Sequence, residues 1–274
     1  MRPLVLALGA GFSLSLEEEV LAVKRAGFDG VFTGWSGKGS LDEATRLIRR
    51  EELLYQSVHA PFDRVHLLWE EGDAGEDEVK NQIACLEDSA RAETPLVVIH
   101  AIIGFDRFTP NALGSERFGR IFRRAGELGL HVAVENTEGE TYLERLLADH
   151  KDAHVGFCID TGHEMCYNES RDMIGKYGSR LFGTHLNDNL GITGDVITWH
   201  DDAHLLPFDG VADWEGIAAR LKKAGYKGEL TAELTLKNKP NRHTHDQYHA
   251  LTPDEFLKEA HGRLLRIREM LDGE

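Results

Sequence analysis

Eight short apolar runs alternate with eight amphipathic stretches from one end of the chain to the other. The runs are PLVLALG (3–9), GVFTG (30–34), LYQSVHA (54–60), PLVVIHA (95–101), HVAVEN (131–136), HVGFCID (154–160), LFGTHLN (181–187) and ELTAELT (229–235). They carry the β-branched, bounded pattern of buried strands. The stretches 16–26, 41–52, 76–93, 113–128, 141–149, 169–178, 213–224 and 253–271 read as helices. Several stop at a glycine, as in KRAGF, GELGL and KKAGY, where a left-handed residue closes the last turn. Strict alternation implies a parallel sheet with right-handed crossovers. Eight such units are the number that closes a (β/α)8 barrel, an α/β fold that takes about 250 residues. A single TIM-barrel domain over 1–274 is therefore expected, with no repeats or linkers to divide it. An open doubly wound sheet is the alternative, but LGAGFS after the first run is only a weak glycine fingerprint.

Composition narrows the function classes. A hydrophobic fraction of 41% supports a full core, and no apolar run approaches the roughly 20 residues of a membrane span. The opening MRPLVLALGAGFSLSLEEEV reads as a first strand and not as a signal peptide. Three cysteines, Cys85, Cys158 and Cys166, lack a disulfide framework, so a reducing cytoplasm is expected. Cys158 and Cys166 flank the motif discussed next; thiolate ligation is one reading of them, small buried residues the other. A net charge of −16 repels a nucleic-acid backbone, and a small-molecule substrate is expected instead.

The motif GFCIDTGHEM (156–165) ends a buried strand in a carboxylate, Asp160, with His163 three residues on. Desolvating a lone charge costs several kcal/mol, so Asp160 either caps a helix or faces something positive. In a barrel the active site lies at the C-terminal ends of the strands. There the third and fourth runs end in His59 and His100, and the fifth brings Glu135. The sixth brings Asp160 and His163, the seventh His185 and the eighth Glu233. The loop after the seventh adds Asp202 and His204. Each alone has an ordinary reading as a core histidine, a helix cap or a solvated loop residue. Together, three carboxylates and a histidine at one mouth need a counter-cation. This mixture of oxygen and imidazole donors suits a divalent metal: Zn, Mn, Co or Mg.

VENTEGE, GFCIDTGH, THLNDN, DDAHLLPFDGVADW and GELTAEL resemble the sugar phosphate isomerase/epimerase family with the xylose isomerase-like TIM barrel. That superfamily also contains endonuclease IV. The resemblance covers nearly the whole chain. It implies a mononuclear metal site of Glu135, Asp160, His185 and Glu233. Glu135 and Glu233 would act as acid and base on a small sugar, polyol or sugar phosphate, and His163 would touch the substrate. The metal would stabilise an enediolate.

Two departures qualify this. The arginine that such epimerases carry after the seventh-strand histidine is missing from HLNDNLGIT. His59, His100, Asp202 and His204, which the epimerase scheme does not need, match the endonuclease IV pattern for three zinc ions. In that pattern His59 and His100 join Glu135 on one ion, while His163, Asp202 and His204 hold a third. One ion is expected, with up to three as the alternative that would go with phosphodiester hydrolysis at abasic-site DNA. A non-catalytic sugar- or metal-binding barrel is the third reading. Trp199 is a candidate to stack on substrate, or else packs its loop down. Lys237, with Lys239, Arg242, His243 and His245, forms a positive patch that would suit a phosphate or carboxylate, or is simply solvated. A homo-oligomer fits the same reading.

Overall fold

The computed structural model describes residues 1–104 and 109–273. Its eight strands are β1 (Leu4–Ala7), β2 (Gly30–Gly34), β3 (Leu54–His59), β4 (Leu96–His100), β5 (His131–Glu135), β6 (Val155–Asp160), β7 (Leu181–His185) and β8 (Leu230–Ala232). They form one parallel sheet in the order β7-β6-β5-β4-β3-β2-β1-β8. The last seam is made just beyond β7. There Leu186 pairs with Ala232, and Leu186 N–H donates to the Thr231 carbonyl at 2.7 Å. Below that point the Thr184 hydroxyl stands in for backbone, accepting from Thr231 N–H at 3.1 Å. The result is a nearly closed (β/α)8 barrel, as the alternation predicts.

Strand side chains alternate between two layers. Val132, Val134, Phe157 and Ile159 face outward into the large core beneath the helices. Leu96, Val98, Ala133 and Cys158 face inward and pack together as a small internal layer. On β5 and β6 the same inward series continues to Glu135 and Asp160, one pleat beyond Ala133 and Cys158. The apolar interior thus becomes the floor of a polar mouth. Cys158 is wholly buried in that floor, where burial and the carboxylates above push its thiol well up. It is a packing residue and not a thiolate.

The surrounding helices are α1 (Leu16–Ala26), α2 (Asp42–Arg50), α3 (Asp73–Arg91), α4 (Ala112–Glu127), α5 (Glu140–Asp149), α6 (Thr161–Cys166), α7 (Met173–Tyr177), α8 (Trp214–Lys223) and α9 (Pro253–Asp272). Ser15 with Glu18 and Thr252 with Glu255 form reciprocal caps that start α1 and α9. None of the described helices is long and apolar enough to cross a membrane.

One helix differs from expectation. The stretch 169–178 predicts a single helix, but helical structure begins at Thr161 and breaks after Cys166. Asp160 causes the early start, since its carboxylate caps the His163 N–H at 2.7 Å. Glu169 and Ser170, both at φ 56°, then turn the chain before α7 resumes. The shift carries His163 on the first turn of α6, against the mouth of the barrel.

Candidate metal centre

Strand register sets the first geometry. His100 on β4 lies beside Glu135 on β5, and Asp160 on β6 lies beside His185 on β7. Glu233 follows β8, its N–H held by the Leu186 carbonyl at 3.3 Å. Glu135 is the hub. One carboxylate oxygen, Oε2, lies 3.2 Å from His59 Nε2 and 3.3 Å from His100 Nε2. The other, Oε1, lies 3.1 Å from His185 Nδ1 and 3.3 Å from His163 Nδ1. Glu233 Oε2 meets the same His185 Nδ1 at 3.0 Å. On the far side, Asp202 Oδ2 sits 3.0 Å from His204 Nε2 and 3.4 Å from His163 Nε2.

All nine expected donors are thus brought together. Three overlapping groups have every donor atom within 4.8 Å of the others: His59, His100 and Glu135; Glu135, Asp160, His185 and Glu233; and Asp160, His163 and His204. Trp199 and Lys237 stay outside. Trp199 is half exposed at the rim, and Lys237 is exposed, its chain laid against Gly11.

The hydrogen-bonding chemistry tests whether a cation belongs here. His59 Nδ1 lies 2.7 Å from the Ala60 carbonyl, His163 Nδ1 3.0 Å from Asn136 O, and His204 Nδ1 3.1 Å from Glu233 O. A carbonyl only accepts, so each Nδ1 carries the proton and each neutral ring turns an Nε2 lone pair outward. Every one of those Nε2 atoms points at a carboxylate oxygen, which is also an acceptor. Lone pair against lone pair is repulsive unless a proton or a cation lies between. The donor pairs are 3.0–3.3 Å apart around Glu135 and Glu233, close to the ~3.3 Å separating ligands on a tetrahedral ion with bonds of about 2.05 Å. Carbonyls fixing Nδ1 while Nε2 reaches inward are also the usual support of metal-bound imidazoles. The residues fit a divalent ion.

Electrostatics agrees. Burial works against the charge on Glu135, but His185, His100 and His163 outweigh it and hold the carboxyl well below its usual range. Burial likewise opposes charge on His185 and His163, yet their carboxylate neighbours lift both well above an ordinary imidazole. His204 is pushed up to about 9 by Asp202 against its burial. Asp160 rises to about 6, chiefly through burial. Without a metal, this site collects protons in its place.

Asp160 resolves the question its motif poses by doing both jobs. Oδ1 caps α6, while Oδ2 accepts from Asn187 Nδ2 at 2.8 Å and faces the donor group. The supporting asparagines are what the sequence reading missed. Asn136 pairs with the Asp160 backbone on both sides, accepting from its N–H at 2.7 Å and donating to its carbonyl at 2.9 Å. Asn189 Oδ1 accepts the N–H groups of Ala203 and His204 at 2.6 and 3.2 Å. Asp188 accepts four donors and ties the long loop to α8. The dense polar run HLNDN was the available signal, because wholly buried asparagines need fixed partners. Phe32 stacks on His185 at 4.8 Å, and Phe62 on His100 at 4.6 Å.

Beside Glu233 and His59 opens a cavity of about 520 Å³, walled by Phe32, Trp35 and Phe62 and floored by Ala7 and Ala60.

Comparison with known proteins places this geometry. The chain is 29% identical over 212 residues to the uncharacterized protein y4fM of Sinorhizobium fredii, covering 72% of this chain and 61% of that one. It is 24% identical over 237 residues to a 3-dehydroshikimate dehydratase of Pseudomonas aeruginosa, covering 80% and 36%. The chain therefore spans less than two thirds of either relative. Among solved structures, the IolI protein with a bound zinc atom superposes with a TM-score of 0.77 at 15% identity, each chain covered in full. D-psicose 3-epimerase with D-tagatose, from Clostridium cellulolyticum H10, gives 0.74 at 14% identity over 98% and 99%. Residues 20–254 match the family described as xylose isomerase-like TIM barrel, and the chain belongs to that family.

Proposed function

We propose that the chain is a divalent-metal-dependent isomerase or epimerase of a small sugar, polyol or sugar phosphate. Its core step is proton transfer at the carbon next to a carbonyl, and Glu233 is the group that moves the proton. The observation that carries this is the unequal exposure of the two glutamates. The Glu233 side chain is 25% exposed and lines the cavity, while that of Glu135 is 1% exposed with both oxygens engaged by histidines.

The ion would be held by Glu135, Asp160, His185 and Glu233. When bound, it would draw off the charge that develops on the substrate oxygen as the proton leaves. Glu233, placed by its N–H bond to Leu186, can take a proton from one face of the substrate and return it. Such a single-face shuttle suits transfer between adjacent carbons. Inverting a centre requires a second group on the opposite face, and Glu135 is not open to supply it. Within the proposal, isomerisation is therefore favoured over epimerisation. The cavity lies in the ordinary range for small ligands, about 300–1,000 Å³. The sugar epimerases among the structural neighbours, and the distant dehydratase, support an enzyme of this class.

A second reading, a metal-cluster phosphodiesterase acting on abasic-site DNA, draws support from the three overlapping donor groups. The net charge of −16 opposes it. The two are separated by incubating metal-loaded protein in D2O with a panel of free and phosphorylated ketoses and aldoses, and in parallel with abasic duplex DNA. Loss of one substrate C–H signal by NMR, abolished in Glu233→Gln, is expected. Nicked DNA without exchange into any sugar would replace the proposal with the second reading.

A further inference from the structure

Asp202, which meets His163 and His204 at the edge of the third donor group, has a cation of its own. Lys239 Nζ lies 3.8 Å from Asp202 Oδ2, the same oxygen that His163 Nε2 and His204 Nε2 approach. It also lies 5.3 Å from the centre of the Trp199 ring, so the ammonium is held between an aromatic face and a carboxylate. The lysine is not a loose surface residue, since its side chain is only 20% exposed. Its neighbour Asn238 is fixed at both ends of its amide, donating to Asp246 at 2.6 Å and accepting the His245 N–H at 2.8 Å. The wholly buried His245 in turn reaches the Ala203 carbonyl at 2.8 Å, beside Asp202. The loop after β8 is thereby fastened to the loop that carries Asp202.

We propose that Lys239 takes the place of a metal ion at the cluster of Asp202, His163 and His204, so that the centre holds at most two ions although the donors for three are present. An ion bonded at about 2.1 Å to Asp202 Oδ2 would lie no more than about 6 Å from the ammonium, given the 3.8 Å between Nζ and that oxygen. Ions around Glu135 would share its carboxylate and those of Asp160 and Glu233, whereas Asp202 is already neutralised by the ammonium, so a dication there would add uncompensated charge. The donor set is otherwise complete. His163 and His204 present Nε2, and Asp202 Oδ1 is buried with no partner among the described residues. Removing the lysine charge leaves a vacant set of ligands. The inference rests on the divalent-ion reading of the site, and it makes three-ion hydrolysis the less fitting chemistry for this chain.

The test is zinc content by plasma mass spectrometry after loading with excess zinc and desalting. Wild type is expected to hold no more than two ions per chain, Lys239→Met one more than wild type, and Lys239→Arg the wild-type number. Three ions in wild type, or an unchanged count in Lys239→Met, would overturn the inference while leaving the metal reading intact. No zinc in any of the proteins would overturn both. If Lys239→Met does not fold, Lys239→Gln, which also removes the charge, is counted in its place with the same expected gain of one ion.

Discussion

Asp188→Asn tests how the long loop after β7 is held, and with it two of the candidate ligands. The Asp188 side chain is wholly buried. Its Oδ1 accepts from Asn189 N–H at 2.9 Å and Ala212 N–H at 3.0 Å. Its Oδ2 accepts from Phe208 N–H and Trp214 Nε1–H, both at 2.9 Å. Asparagine has nearly the same shape but only one oxygen. Whichever way the amide turns, two buried donors lose their acceptor and face an NH2 group instead. At about 1–3 kcal/mol for each buried unsatisfied group, the cost is roughly 4 kcal/mol. With an unfolding entropy of about 2.1 cal/mol/K per residue, near 0.6 kcal/mol/K for this chain, the melting temperature should fall by roughly 7 °C. Differential scanning calorimetry of wild type and variant under one metal condition reads this directly. A variant melting within a degree of wild type would mean that Asp188 does not organise the loop, and the account of how Asp202 and His204 are delivered would fail.

Further consequences are equally measurable. In metal-free protein the imidazole of His204 is lifted from 6.5 to about 9, so its stabilising contribution is complete below pH 6.5 and is lost as pH rises through about 9. Chelator-treated protein should therefore melt at lower temperature at pH 9 than at pH 7; a flat or rising trend would show that the histidines are not gathering protons. Zinc binding should release protons, which calorimetry in buffers of different ionisation enthalpy would detect as buffer-dependent heat. Cys85, Cys158 and Cys166 are buried with thiol pKa values raised by burial, Cys85 to about 12; native protein should not react with Ellman's reagent, and rapid labelling would contradict their placement. Gly114→Ala would put a methyl 2.0 Å from the Trp69 ring, costing about 1–3 kcal/mol by overpacking, which a lowered urea midpoint would register.

The parallel barrel was legible because each strand and helix announces itself locally. The valines and isoleucines of PLVVIHA and HVAVEN mark strands whose alternate residues enter the outer core. The candidate donors were legible as a set: each has an ordinary reading alone, but charged and imidazole residues closing several apolar runs at one barrel mouth call for a counter-cation. What could not be read is set by distant partners. That Asp160 could cap a helix was one of the two readings its motif offered; what nothing local shows is that its second oxygen is answered by Asn187 from the next strand's end. The difference between Glu135 and Glu233 was likewise invisible, because both are single glutamates ending strands. Only the convergence of four histidines on Glu135 separates them. Lys237 and Lys239 belonged to one positive patch in the sequence; the fold sends Lys239 toward Asp202.

The proposed divalent ion belongs among Glu135, Asp160, His185 and Glu233. Anomalous diffraction from crystals grown with zinc, collected on both sides of the zinc edge, tests this most directly. A strong peak is expected at about 2.0–2.2 Å from donor atoms of Glu135, Asp160, His185 and Glu233. A map with no peak there would contradict the proposal.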